Sequence, residues 1–379
     1  MPAVSSSLIS PALVQVEGLP AGDRALLAGQ CPGLAEYLAD VPDPRDPRGV
    51  RHTLTSLLLA AVAAVLAGAR SFAAVGEWVA DAPPQVLGVL GVRRDPLTGH
   101  FEPPGEATIR RVMETVDADA FDAAVGSWLA GRLRAAGPRS GHGRRARRAL
   151  AVDGKAVRGS RHASEDGQHV HLLAAADQQT TAVLAQASVD GKTNEVTRFA
   201  PLLASLDLAG QVSTADALHT QREHARFLVG VKKADYILIV KKNQPGLYAQ
   251  VKSLPWRHVL ASDRQHGRRH GREEYRTLQA VTVAAGLLFP HAAQAIRVTR
   301  RARPVSGQEK WRTVTVYAVT SLTVTQATPA QLARWIRGHR HIEALHHIRD
   351  VTYGEDASQV RTGNGPRPWP PCATSASES

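Results

Sequence analysis

The stretch Ala149-Leu-Ala-Val-Asp-Gly-Lys155 decides how this chain is read. Leu150 and Val152 alternate with small residues, the period-two pattern of a short buried strand. The strand ends on a carboxylate, Asp153, and runs into Gly154 and Lys155. A carboxylate at the end of a core strand, followed by Gly-Lys, suits a metal or a phosphate site.

The 379 residues around it can hold two domains, each with its own core. There are 46 Lys and Arg against 34 Asp and Glu, giving a formal charge of +12. That excess points to a polyanionic partner, most simply nucleic acid. Cys31 and Cys372 are the only cysteines. They exclude a disulfide framework and any zinc site of Cys-x-x-Cys spacing, and suit a reducing cytoplasm. The apolar run 57–66 is too short for a membrane span and reads as a buried helix. No signal peptide and no membrane association are expected.

Towards the N-terminus, residues 1–33 are weakly patterned and expected to be flexible. The run Val41-Pro-Asp-Pro-Arg-Asp-Pro-Arg-Gly49 forbids a helix. Helical periodicity follows at 52–67, 71–80, 106–116 and 118–133, with Asp117 placed to cap the last. Residues 34–131 therefore read as a small all-helical domain. Between 132 and 148 come Arg132, Arg134, Arg139, Arg144, Arg145, Arg147 and Arg148, with no acid. This is either a solvated linker or a linker that also grips phosphates; Arg144, Arg145, Arg147 and Arg148 are the candidate DNA contacts.

Towards the C-terminus, strand patterns occupy 149–152, 169–176 and 182–189, the last two forming a hairpin across Asp177-Gln-Gln-Thr180. A helix at 194–206 carries Pro201 as a kink or boundary. A strand at 211–215 ends on Asp216, a helix covers 219–229, and a strand covers 236–240. The order is that of a mixed α/β core. Residues 243–326 read as a β-rich insertion, with strands at 279–283, 295–299 and 313–319 and basic segments at 266–276 and 297–303. Pro329 then opens one long helix, 330–351, with Leu332, Trp335, Ile342, Leu345 and Ile348 as its apolar stripe.

Asp153 and Asp216 occupy equivalent places, each ending a core strand. Glu343 lies just off the apolar stripe of the long helix, on the face of His339, His347 and Asp350. Taken singly, Asp216 reads as a helix cap and Glu343 as a boundary residue. Together, in a basic protein, three such carboxylates can hold two divalent metals about 4 Å apart and cut a phosphodiester. Mg²⁺, a hard ion with oxygen ligands, is the natural choice, and Mn²⁺ can substitute. His339, His341, His346 and His347 have no spacing that favours zinc.

Several segments resemble the H-repeat-associated insertion-sequence transposases. They are Ala151-Val-Asp-Gly-Lys155, Ser213-Thr-Ala-Asp-Ala217, Lys241-Lys-Asn-Gln-Pro245, His270-Gly-Arg272, Arg337-Gly-His339 and the run from Ile342 to Arg361. Val41 to Gly49, with the apolar helix after it, is similar to that family's N-terminal associated domain. The resemblance spans roughly residues 34–366. It implies an RNase H-like catalytic domain over 149–366 and an Asp-Asp-Glu triad, here Asp153, Asp216 and Glu343, as catalytic and metal-holding residues. The implied chemistry is Mg²⁺-dependent hydrolysis at element ends, followed by transfer of the freed 3′-hydroxyl to target DNA. The implied partners are double-stranded DNA and further copies of the chain, in a bacterial cytoplasm at the nucleoid. Related transposases place a Tyr, an Arg and a Lys around the Glu; here those positions are Ile336, His339 and Asp350. Which residues contact DNA there is left open. Lys155, Lys241, Asn243, Arg272 and His339 are the candidates.

The last segment departs from the resemblance. The family continues after Arg367 with a helix near Met-Ala-Thr-Leu-Arg-Asn-Leu, whereas this chain has Pro368-Trp-Pro-Pro-Cys-Ala-Thr-Ser375. Read from the third base of the Pro368 codon, codons for the second segment can spell the first. Residues 367–379 are therefore expected to be a frameshifted tail, the alternative being a natural disordered one. The expected protein is a transposase of this type, with activity in doubt for a truncated copy. The alternatives are a non-catalytic DNA-binding remnant and an RNase H-like nuclease.

Overall fold

A computed structural model of the chain describes residues 33–135, 147–157, 170–189, 192–269, 271–283, 287–305 and 310–351. The N-terminal segment, Arg144, Arg145 and the tail after 351 lie outside the described residues. Two compact units part between Ala146 and Arg147.

The first unit is helical: α1 (Leu34–Leu38), α2 (Leu54–Leu66), α3 (Phe72–Ala80), α4 (Pro84–Val89), α5 (Glu106–Thr115) and α6 (Ala118–Ala135). Side-chain caps start three of them, as expected for Ser, Thr and Asp. Thr53 accepts from the Ser56 N–H and Ser71 from the Ala74 N–H, both at 3.2 Å. Asp117 accepts from the N–H groups of Asp119 and Ala120 at 3.0 and 3.1 Å. The apolar run of α2 is a buried helix, with Leu57, Leu58, Val62 and Val65 at its core.

The second unit is built on one nine-stranded sheet among the described residues, in the order β3-β2-β1-β4-β5-β9-β8-β7-β6. Its strands are β1 (Ala149–Val157), β2 (Val170–Asp177), β3 (Val183–Val189), β4 (Val212–Ala215), β5 (Asp235–Val240), β6 (Asp263–Arg269), β7 (Arg272–Thr282), β8 (Gln294–Pro304) and β9 (Arg312–Thr320). Strands β1 to β3 are antiparallel, β4 pairs parallel with β1, and β5 pairs parallel with β4. This is the RNase H-like arrangement that the resemblance implies. Helices α7 (Lys192–Ala204), α8 (Arg222–Arg226), α9 (Pro245–Ser253), α10 (Pro329–Gly338) and α11 (Arg340–Val351) accompany it. Pro201 lies inside α7 rather than ending it.

The insertion differs from the sequence reading in two ways. The insertion is a continuation of the main sheet, joined through the antiparallel pairing of β5 with β9. The segments taken as basic connections are themselves strand: β6, the first half of β7 and the end of β8. There the faces are filled by charge pairs instead of apolar pairs, so no hydrophobic alternation marks them. Arg303 donates to Glu273 at 2.8 Å and Arg300 reaches Glu274 at 2.9 Å across the β7–β8 pair.

The long C-terminal helix is two helices that break at His339. Leu332, Ala333 and Trp335 of α10 pack over Ile237, Leu278, Ile296 and Ala318. Ile342 and Leu345 of α11 pack over Ala151, Ala174, Ala176 and Val183. Each half thus covers a different part of one sheet face. Ile348, the last residue of the expected stripe, is exposed.

Candidate active site

Asp153 does not end its strand. β1 continues to Val157 against β2, but its parallel pairing with β4 ends at Val152 and Ala215. Asp153 and Asp216 are the next residue on each strand, so both carboxylates stand where β1 and β4 part. A cleft at the carboxyl ends of adjacent parallel strands is where open α/β sheets bind ligands. Asp216 also caps the turn that follows, accepting from the Leu218 N–H at 2.8 Å. The cap and the site reading therefore hold together for the same residue.

Glu343 lies exposed in the first turn of α11. The helix is aimed by a chain of contacts from its break. His339 Nδ1 lies 3.0 Å from the Thr214 hydroxyl on β4. That hydroxyl accepts from Gln178 Nε2 at 2.7 Å, and His341 Nδ1 lies 2.6 Å from the Gln178 carbonyl. At the far end of α11, Asp350 accepts from buried Lys155 of β1 at 2.5 Å. Between these anchors His346 Nδ1 stands 4.0 Å from Asp153 Oδ2.

The acids are close enough to act on one another's charge. The Asp153 carboxyl is pushed up to about 7. Burial is the largest cause, the charge of Asp216 the next, and those of Glu343 and Glu195 add to it, while a hydrogen bond from the Gly154 N–H opposes them. His339 is held below the ordinary histidine range by burial, against the pull of Asp216.

Glu195 is a fourth acid that the sequence reading missed. It sits buried on α7, its Oε2 3.8 Å from Nε2 of fully buried His219. Burial pushes His219 down to about 4, so it is neutral near pH 7. The signal for Glu195 lay in Gly154. A Cβ on Gly154 would stand 2.6 Å from Glu195 Oε1, so only glycine lets that carboxylate approach β1.

The candidate DNA contacts divide. Lys241 and Arg272 are exposed. Lys155 is buried against Asp350, and Asn243 donates to the Ala217 carbonyl at 2.6 Å, holding the turn after Asp216. His339 is engaged with Thr214. Arg147 pairs with Asp235, and Arg148 lies 4.0 Å from Asp177. The four histidines at the helix break do not converge, and no group of three or more His, Cys, Asp or Glu side chains among the described residues forms a ready metal cage.

The chain belongs to the transposase DDE domain family, whose model matches residues 144–367; a second, DDE_Tnp_1-associated, matches 35–129. It is 29% identical over 350 residues to "Putative transposase YncI" of Escherichia coli O157:H7, covering 87% of this chain and 83% of that one. It is 28% identical over 346 residues to "H repeat-associated putative transposase YhhI" of E. coli K12, covering 87% and 85%. Among solved structures it is similar to a piggyBac transposase synaptic complex with hairpin DNA, at TM-score 0.36 and 10% identity, over 91% of this chain and 70% of that one. No helix among the described residues is long and apolar enough to cross a membrane.

Proposed function

We propose that this transposase cuts the DNA strands at the ends of an insertion sequence and joins the freed 3′-ends to a target, using Asp153, Asp216 and Glu343. The observation that carries this is the placing of Asp153 and Asp216 together where β1 and β4 part, near enough, with Glu343, for their charges to raise the proton affinity of buried Asp153. Anionic groups held together at that cost favour a divalent cation as much as a proton. An all-oxygen donor set suits Mg²⁺, or Mn²⁺ in its place. By donor chemistry Asp153, Asp216 and Glu343 would be its holders, although among the described residues they are not drawn together into a three-ligand group. When bound, the cation supplies an activated attacking oxygen and charge stabilisation at the leaving oxygen.

The chain's own residues do the positioning. Asp153 and Asp216 fix two carboxylates where β1 and β4 part, and the His339–Thr214 and Lys155–Asp350 contacts set where α11 presents Glu343. Lys155, Asn243 and His339 act on the site rather than on DNA. Lys241, Arg272 and the arginines before β1, including Arg144, Arg145, Arg147 and Arg148, bind phosphates and add salt-sensitive affinity. Two element ends brought together call for at least two copies of the chain, assembled at the nucleoid.

The test is a supercoiled plasmid bearing candidate element ends, with Mg²⁺. End-specific nicking by the wild type, lost in Asp153→Ala, supports the proposal. Nicking that survives Asp153→Ala contradicts the triad. Binding without nicking by the wild type makes the chain a DNA-binding remnant, and cutting without regard to the ends makes it a nuclease of another kind.

A further inference from the structure

Around the third acid, Ile336, His339 and Asp350 leave open which residues meet the DNA strand. The structure offers a different set. In the sheet extension, Arg276 of β7 lies directly opposite Arg300 of β8 and next to Gln265 of β6. Like charges set opposite each other across strands are destabilising. Glu274 is shared between them: it pairs with Arg276 and lies 2.9 Å from Arg300 Nε.

The row lies on the sheet face that carries the helices. Strand alternation puts Arg276 on the side of Leu278, and Arg300 on the side of Ile296, both packed under α10. Arg337, in the last turn of α10, donates to Gln265 of the same row. Arg340, three residues before Glu343, opens α11. Burial holds its guanidinium below the usual arginine range, and Arg276 and Arg300 add to that effect; Glu274 and Glu343 act the other way. Arg276 and Arg300 thus form the row with Glu274 between them, Arg337 joins it through Gln265, and Arg340 opens the helix that carries Glu343.

We infer that Arg276, Arg300, Arg337 and Arg340 form a phosphate-binding subsite for the DNA strand, placed by the sheet extension beside Glu343. The inference rests on the proposed DNA-strand chemistry and says where the strand runs: its phosphates next to the reacting one cross this row. A strand phosphate relieves the repulsion between the opposed arginines, and Glu274 holds them in place until it arrives. Guanidinium groups suit this role, since each can donate two parallel hydrogen bonds to one phosphate. The extension then has a reason to continue the main sheet, because a separate flap would not fix the row relative to α11.

The experiment measures binding of the full chain to a labelled duplex of about 40 base pairs by fluorescence anisotropy, between about 50 and 200 mM salt. In the double variant Arg276→Ala/Arg300→Ala, the slope of log K against log salt should flatten by about 1.8, near 0.9 for each phosphate no longer held. Arg276→Lys/Arg300→Lys, which keeps the charge, should hold the slope. Glu274→Gln removes the competing carboxylate and should tighten binding several-fold. That gain is a sign that a merely structural Glu274 would not produce. An unchanged slope in the alanine variant, or weaker binding by folded Glu274→Gln, overturns the subsite while leaving the parent reading intact. A wild type with no salt-dependent binding overturns both.

Discussion

At Asp153, the proposed function opposes stability. Its folded-state proton affinity, about 7, lies above the ordinary value of 3.8. The folded protein therefore holds this proton more tightly than the unfolded chain. Its contribution is fully present below about pH 4 and is lost as pH rises towards 7. Asp153→Asn should then stabilise the cation-free protein by roughly 2 kcal/mol or more at pH 8 and by little at pH 4. Thermal melts at the two pH values check this, and a gain independent of pH would contradict burial and carboxylate repulsion as the cause. Gly154 makes the second case. Gly154→Ala forces the buried Glu195 carboxylate away from β1, and should destabilise by about 1–3 kcal/mol in a denaturant titration. Asp153 was legible from its strand and from Gly-Lys. Glu195 was not, because nothing in a helical stretch of sequence says which strand its side chain will meet.

At the scale of elements, the break between α10 and α11 sets the site. Apolar spacing at 332, 335, 342 and 345 continues across Gly338, so the sequence reads as one helix. Beside the break lies a close approach that spacing cannot show. A Cβ on Gly338 would collide with Oε1 of buried Gln178, whose amide holds Thr214. Gly338→Ala should therefore lower the melting temperature, although Ala in a helix normally gains about 1 kcal/mol over Gly. It should also slow strand cutting more than it weakens DNA binding, because it shifts α11 and Glu343. A melting temperature raised by the substitution would show that the break has no such role. Strand β6, the first half of β7 and the end of β8 were hidden for a related reason: their side chains satisfy one another by ion pairs rather than by burial.

For the whole molecule, the succession of the five core strands along the chain was readable, although Asp153 stands within β1 rather than at its end. Strand alternation and the carboxylates that follow it are local signals. The union of the insertion with the core sheet depends on β9 returning to β5, with Thr320 set against Ile237, and no local pattern announces that pairing. The tail after Arg367 lies outside the described residues and stays a proposal. The nucleotide sequence around codon 368 decides it: a one-base shift should open a frame encoding a helix near Met-Ala-Thr-Leu-Arg-Asn-Leu, and no such frame means the tail is native. Light scattering on the full chain mixed with duplex ends should show at least two copies per complex, against a monomer on each duplex if the assembly proposal fails.

All of this turns on whether acids from β1, β4 and α11 act as one metal-holding site, although they form no closed cage among the described residues. The deciding measurement is Mn²⁺ titration by calorimetry, on the wild type and on Asp153→Asn, Asp216→Asn and Glu343→Gln. Each variant, checked to be folded, should bind at least about tenfold more weakly than the wild type. Wild-type affinity in Glu343→Gln, with loss in the two strand variants, would remove α11 from the site. Undiminished binding in all three would contradict a shared metal site outright.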